Sequence, residues 1–234
     1  MKTNYFKQTE KLGRMTIPVK ISNQLRQLIL SGTFVGGTPL KQEVLAQEFN
    51  VSMSALREAL KTLESEGLVK FFPNRGAVVT ELSAEEAQEI FEIRMLLELG
   101  ALEFSIPALT KQDLEKAEHI LELLEREEDS NRWSELNCLF HEHLYEASGK
   151  TKLLDMIRVL HNNVERYMRI YLEEMHYQTQ SQKEHRDLLE ACTQKDIKKA
   201  KKILKHHMES ASKTLHTYLL DAKQQKRKDE QHHE

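Results

Sequence analysis

From Ser83 to about Leu220 the apolar residues return every three or four positions with scarcely a break, a rhythm that admits little besides packed α-helices. Only 8 Gly and 4 Pro occur in 234 residues, so a helix has few places where it must stop. The stops that do occur are legible. Ser83-Ala-Glu-Glu86 has the capping-box pattern and predicts a helix to about Ser105, with Pro107 marking the break after it. Thr110-Lys-Gln-Asp113 resembles a second box, opening a helix to about Glu128. Further helices are expected at 131–147 (ended by Ser148-Gly149), 151–178, 182–193 and 196–220, followed by a polar tail over 222–234.

The first third of the chain reads differently. Pro18 suits a first helical position and Gly32 a position just past a helix end. Between them Ile21, Leu25, Leu28 and Ile29 form one stripe, predicting a helix over 18–31. FVGGTPL is read as a turn. A short helix at 41–49 is expected to turn Val44, Leu45 and Phe49 inward. Asn50-Val51 then connects tightly to a helix N-capped by Ser52, running to about Glu66 and closed by Gly67. LVKFF and AVVTEL flank PNRG as a β-hairpin. The expected fold class is mostly α. A flexible N-terminal arm (1–14) precedes a winged helix-turn-helix with a small β-hairpin (15–81), and an all-α helical bundle fills 82–221.

Charge is divided unevenly. Residues 1–82 carry 11 Lys and Arg against 7 Asp and Glu, and the remainder carries 23 against 30. A mildly basic module ahead of an acidic one points the first toward a polyanion. No apolar run approaches the roughly 18–20 residues a membrane helix needs. The N-terminus lacks the apolar core of a secretory signal, and two cysteines, Cys138 and Cys192, cannot make a disulfide framework. A cytoplasmic protein is expected.

A helix, a tight turn and a second helix is the arrangement that places one helix in a DNA major groove. The candidate contacts to double-stranded DNA are Ser52, Ser54, Ala55 and Arg57 on that helix and Asn74, Arg75 and Gly76 at the hairpin tip. The serine hydroxyls can donate to phosphates or base edges. Arg57 can pair with a phosphate, and Arg75 can enter the minor groove. Taken singly, each residue reads as readily as a cap or a solvated surface group; the constellation is more specific.

PVKISNQLRQLILSGTF and LKQEVLAQEFNVSMSALREALKTLESEGLVKFFPNRGAVV together resemble the winged helix-turn-helix of the GntR family of bacterial transcription regulators. The resemblance implies a homodimer that binds a short palindromic operator, usually as a repressor released by a metabolite. Two positions depart from the family pattern: Glu43 and Met53 stand where arginines are common. A bidentate Arg–guanine contact supplies about 1–3 kcal/mol of discrimination, which Met cannot. The operator is therefore expected to differ from the family's commonest one.

Of 11 histidines, helical position singles out few. His232 and His233 fall in the polar tail, and His119, His143 and His216 lie off the apolar stripes. His207 follows Leu204 on the apolar face of the last helix. His185 leads Leu188, Leu189 and Cys192 at helical spacing. Asn137 and His141, four residues apart, border the stripe of the helix at 131–147. This set suits Zn, Ni or Mn, and equally suits buried, hydrogen-bonded imidazoles. His161 also faces inward but is left outside the set.

WSELNCLFHEHLYEASG, EHRDLLEAC and the step from His185 to His207 resemble the effector domain of the FadR branch, the FCD domain. That resemblance implies a divalent metal on Asn137, His141, His185 and His207, with Asn137 replacing the usual Asp. It also implies a small organic acid as effector, which Arg94 of FEIRMLLELGALEFS is placed to anchor, while Arg94 and Glu98 at i, i+4 read equally as a structural bridge. The reading is of a regulator and not an enzyme, since no general base is placed by motif and HEXXH is absent. The alternatives are a metal-dependent enzyme, or a ligand-binding protein with weakened DNA recognition.

Overall fold

Helix α1 (Ile17–Leu30) starts on Pro18, whose missing N–H costs nothing in a first turn, and buries Ile21, Leu25 and Ile29. The computed structural model describes residues 16–175 and 178–231. The expected arm at 1–14 and the tail histidines His232 and His233 lie outside the described residues. The chain divides between Glu81 and Leu82 into two units, each with its own core.

In the first unit α1 is followed by β1 (Pro39–Leu40), α2 (Gln42–Glu48), α3 (Met53–Ser65), β2 (Val69–Phe72) and β3 (Gly76–Val79). Ser52 caps α3 by accepting from the Ala55 amide at 3.2 Å. Leu56, Leu60 and Leu63 of α3 pack with Leu25 and Ile29 in a core completed by Ala77 and Val79 of the sheet. A bidentate pair from Arg26 to Glu66, at 2.7 and 2.6 Å, ties α1 to the end of α3.

Two expectations are corrected here. The segment read as a plain turn, FVGGTPL, ends in strand β1, which pairs antiparallel with β3 through Leu40 and Ala77. The hairpin is thus a three-stranded sheet in the order β1-β3-β2. A two-residue strand led by Pro is too short to show alternation, and Pro is tolerated only at such an edge. Val44, expected inward, is 50% exposed, while Leu45 and Ala46 are buried and Phe49 packs partly against the core. Helix α2 has seven residues, too few for a wide apolar stripe.

The second unit comprises α4 (Ala84–Ser105), α5 (Lys111–Arg126), α6 (Ser130–Glu146), α7 (Thr151–Met175), α8 (Gln178–Thr193) and α9 (Ile197–Gln231). Ser83 accepts from the Glu86 amide, and Thr110 with Asp113 forms both bonds of a capping box. The Lys195 ammonium crosses to the end of α4 and donates to the Ile106 and Leu109 carbonyls at 2.7 and 2.6 Å. It thereby satisfies acceptors that a helix end leaves unpaired. Phe91, Leu102, Leu121, Trp133, Phe140, Leu144, Tyr145, Leu188, Leu204 and Leu215 fill the core between the helices.

Helix α9 runs past the 220 boundary expected from its apolar stripe and continues to Gln231. Lys, Gln and Glu in this stretch are good helix formers, and extending an existing helix needs no new nucleus. Among the described residues no helix is long and apolar enough to cross a membrane.

Candidate functional site

In the first unit, recognition chemistry gathers where α3 and the β2–β3 turn meet the start of α2. Ser52, Ser54 and Arg57 are exposed on α3, and Ala55 is half-buried between them. Arg57 does not hang free: its Nε donates to Gln42 Oε1 at 3.2 Å. Gln42 in turn lies beside Gly76, where a Cβ would come within 3.6 Å of its Nε2. Gly76 has φ +71 and Asn74 φ +63, the left-handed geometry that lets the turn at the tip close. Arg75 stands exposed between them. Gln42 was not singled out from the sequence, because its role arises from contact across fifteen residues. An open groove beside Ser52 is lined by Glu43, Gln47, Asn50 and Met53, so both departures from the family pattern sit on it.

In the second unit a cavity of about 50 Å³ opens among α4, α6, α7, α8 and α9, roughly room for three to five water-sized groups. Arg94, Asn137, His141, His161, Glu165 and His207 stand on its wall. His185, fully buried, closes behind it, with its Nε2 at 3.2 Å from His141 Nε2. The donor atoms of His141, His185 and His207 all lie within 4.8 Å of one another. The three rings come from α6, α8 and α9, each carried inward by the apolar stripe of its helix.

Hydrogen bonds determine which nitrogens face the centre. His207 Nδ1 bonds Glu184 Oε2 at 2.7 Å, which makes Nδ1 the protonated atom and leaves the Nε2 lone pair free. Tyr145 Oη donates to Glu98 Oε2 at 2.9 Å, and so can only accept at its 3.4 Å contact with His141 Nδ1. His141 Nε2 is then also a lone-pair donor. The third ring, His185, has a buried Nδ1 with no partner among the described residues, as has Asn137 Oδ1. Buried polar atoms without partners are uncommon, and both belong to this one cluster.

Electrostatics keeps the His141 and His185 rings neutral. Burial pushes the His141 and His185 imidazoles well below their ordinary range, His141 further through His185, His207, Arg94 and His161 and His185 further through His207. Glu184 is pushed up by burial, but its bonds from His207 and Gln180 outweigh this and hold it below the usual carboxylate range. Burial and the facing Glu98 drive the Tyr145 hydroxyl well above its ordinary value, so it stays a hydroxyl.

Arg94 and Glu98 form a buried pair at 2.8 Å through the arginine Nε. Among the described residues no hydrogen bond holds Arg94 Nη1 or Nη2, and the guanidinium rests over the Phe91 ring. Glu98 was readable as the i+4 partner of Arg94, but its bond to Tyr145 was not, and Tyr145 and Glu184 escaped the sequence reading. They are helix-face polar residues in a charged background, and only the folded contacts distinguish them.

Comparison with known proteins covers both units. Residues 19–79 match the model for bacterial regulatory proteins of the gntR family, and residues 89–210 match the FCD domain. The chain is 33% identical over 165 residues to the gluconate operon transcriptional repressor of Bacillus subtilis (strain 168), covering 69% of this chain and 65% of that one. It thus spans slightly less than two thirds of that relative's length. It is 31% identical over 190 residues to the uncharacterized HTH-type transcriptional regulator YdhC of the same strain, covering 79% and 84%. The solved structure of E. coli McbR/YncC superposes with a TM-score of 0.78 at 25% identity, covering 88% of this chain and 99% of that one.

Proposed function

The chain belongs to the gntR family of bacterial regulatory proteins, with an FCD domain, and is a transcription regulator rather than an enzyme; from that premise we propose that it is a repressor whose operator affinity is set by a small organic acid bound at a divalent metal in the helical unit. The observation that carries this reading is the convergence of His141, His185 and His207 with the buried Asn137 Oδ1, which has no partner among the described residues.

The donor set fits a first-row divalent ion. Three neutral imidazoles and an amide oxygen would hold Zn²⁺, Ni²⁺ or Mn²⁺, and the ion would supply positive charge for an anionic oxygen. An Asp at position 137 would cancel one charge of the ion; Asn137 cancels none. The cavity therefore favours an anionic ligand more strongly than its Asp-bearing equivalent. Arg94, gripped at Nε with neither Nη bonded among the described residues, is oriented to take a carboxylate. Its remaining volume suits a small acid.

On the first unit, Ser52 keeps a hydroxyl proton for a phosphate while its oxygen caps α3. Arg57 and the 74–76 turn flank it. A homodimer on a palindromic operator is the assembly this module suits. Leu96 (76% exposed), Phe104 (56%) and Ile93 (39%) give α4 an exposed apolar stripe that a second copy would cover.

The test is elemental analysis of untagged, gel-filtered protein, followed by operator retardation with and without a panel of small carboxylates. The expected result is at least one first-row metal per chain, and carboxylate-dependent release that is lost after chelation. A metal-free dimer that holds its operator regardless of any carboxylate overturns the reading. For DNA, Arg57→Ala is expected to weaken binding to specific and non-specific sequences alike and to lower the salt slope by about 1. Unchanged affinity in a titration at low salt would remove Arg57 from the DNA face.

A further inference from the structure

Beside the three-histidine cluster, helices α6 and α7 bring together a second set of donors that the reading above does not use. Cys138 Sγ on α6 lies 3.3 Å from His161 Nε2 and 3.5 Å from His161 Nδ1 on α7. Glu165 stands one turn after His161, its Oε2 at 3.7 Å from His161 Nδ1. One donor atom from each of the three lies within 4.8 Å of the others. We propose that Cys138, His161 and Glu165 form a second divalent-metal site, separate from the three-histidine cluster and selective for a thiophilic ion such as Zn²⁺.

The donors lie within reach of one coordination shell, although the sulfur, at 3.3 and 3.5 Å from the two ring nitrogens, rests against the face of the His161 ring. Metal–sulfur and metal–nitrogen bonds of about 2.3 and 2.0–2.1 Å at a tetrahedral centre put ligand atoms roughly 3.4–3.6 Å apart. Rotation of the His161 ring about its Cβ–Cγ bond, which turns one in-plane nitrogen lone pair toward the sulfur and Glu165, is the movement needed to reach that. His161 and Glu165 stand at i and i+4, neighbours on one helix face. Glu165 is oriented from outside: the Ser134 hydroxyl, also buried, donates to its Oε1 at 3.3 Å and leaves Oε2 toward His161.

The chemistry of the two sets differs in a way that separates their occupants. His141, His185 and His207 offer three neutral nitrogens, and an ion there keeps its full charge. A thiolate, an imidazole and a carboxylate together cancel two charges. The second site therefore holds a divalent ion without help from an anionic ligand, with the thiol proton released to solvent as the sulfur–metal bond forms. Sulfur also favours zinc and cobalt over manganese and magnesium. Ser134, His161 and Glu165 line the same cavity as Arg94 and Asn137, so an ion here would sit on the wall of the proposed effector chamber.

The experiment is a Co²⁺ titration of the untagged, chelator-stripped, fully reduced chain, read by total bound cobalt and by the near-ultraviolet thiolate-to-cobalt charge-transfer band. The only other cysteine, Cys192, is fully buried, with a thiol pushed up to about 12 by burial, so the band reports Cys138. Wild type is expected to bind two equivalents, one of which carries the band. Cys138→Ser should lose the band and one equivalent while keeping the other cobalt. His185→Ala should keep the band and lose the complementary equivalent, which separates this site from the three-histidine one. His161→Gln, which leaves the thiol in place, should weaken the band's apparent affinity at least roughly tenfold, and serves if Cys138→Ser does not fold. Absence of the band in folded wild type with a titratable Cys138 thiol overturns the proposal, as does a band that survives Cys138→Ser.

Discussion

Acidification of the chelator-stripped protein below about pH 6.5 will cut its stability with a slope approaching about 1.4 kcal/mol per pH unit for each of two histidines. The groups are His141 and His185, whose imidazoles the fold holds well below the ordinary 6.5, first through burial and then through neighbouring charges. The unfolded chain takes up protons as pH falls past 6.5, and the folded chain does not until its lowered values are reached. Stability is complete above 6.5 and drains away between that value and the folded ones. Urea midpoints at pH 7.5, 6.5 and 5.5 read the effect, and a His141→Gln, His185→Gln double variant should flatten the profile in this range. An equally steep profile in the double variant would assign the loss to carboxylates instead. Zn²⁺ offers a second reading of the same groups. At one hundred times its dissociation constant, an ion that binds only the folded chain adds about 2.7 kcal/mol.

The histidines that make the protein acid-sensitive belong to the candidate metal-ligand set, and the inward aim of that set was legible in the sequence. His185 with Leu188, Leu189 and Cys192, and His207 after Leu204, declare their faces because a helix repeats every three to four residues, and both are buried as that repeat requires. Convergence on one point is a different kind of fact, set by how three helices pack, and the spacing along any one helix is silent about it. The partners that orient the rings were invisible for a related reason. Glu184 looks like one more acid among 37 Asp and Glu until His207 is found against it, and Glu98, readable as the i+4 partner of Arg94, gave no sign of its bond to Tyr145. His161 shows the limit from the other side: its inward phase was readable, yet its partner Cys138 lies twenty-three residues away on another helix. In the winged unit the caps and α3 were readable because they are local. Strand β1 was not, because two residues carry no period, and its identity comes from pairing with β3.

The buried pair on α4 gives the other large effect. Glu98→Ala is expected to cost about 3–5 kcal/mol, the usual consequence of stranding one charge of a buried ion pair. Arg94 is 8% exposed and Glu98 2%, so little water reaches the guanidinium once its carboxylate is gone. The same change also removes the acceptor of the Tyr145 hydroxyl and loosens the contact that orients His141. Removing both charges should be gentler than removing one. Arg94→Met with Glu98→Leu replaces the pair by apolar volume, and its urea midpoint should lie above that of Glu98→Ala alone. The cycle also separates structure from ligand binding. If Arg94 anchors the effector, the refolded double variant will bind its operator but ignore the carboxylate that releases wild type. If the pair serves only the fold, the double variant will still respond to that acid, and the anchor must then be sought elsewhere on the cavity wall.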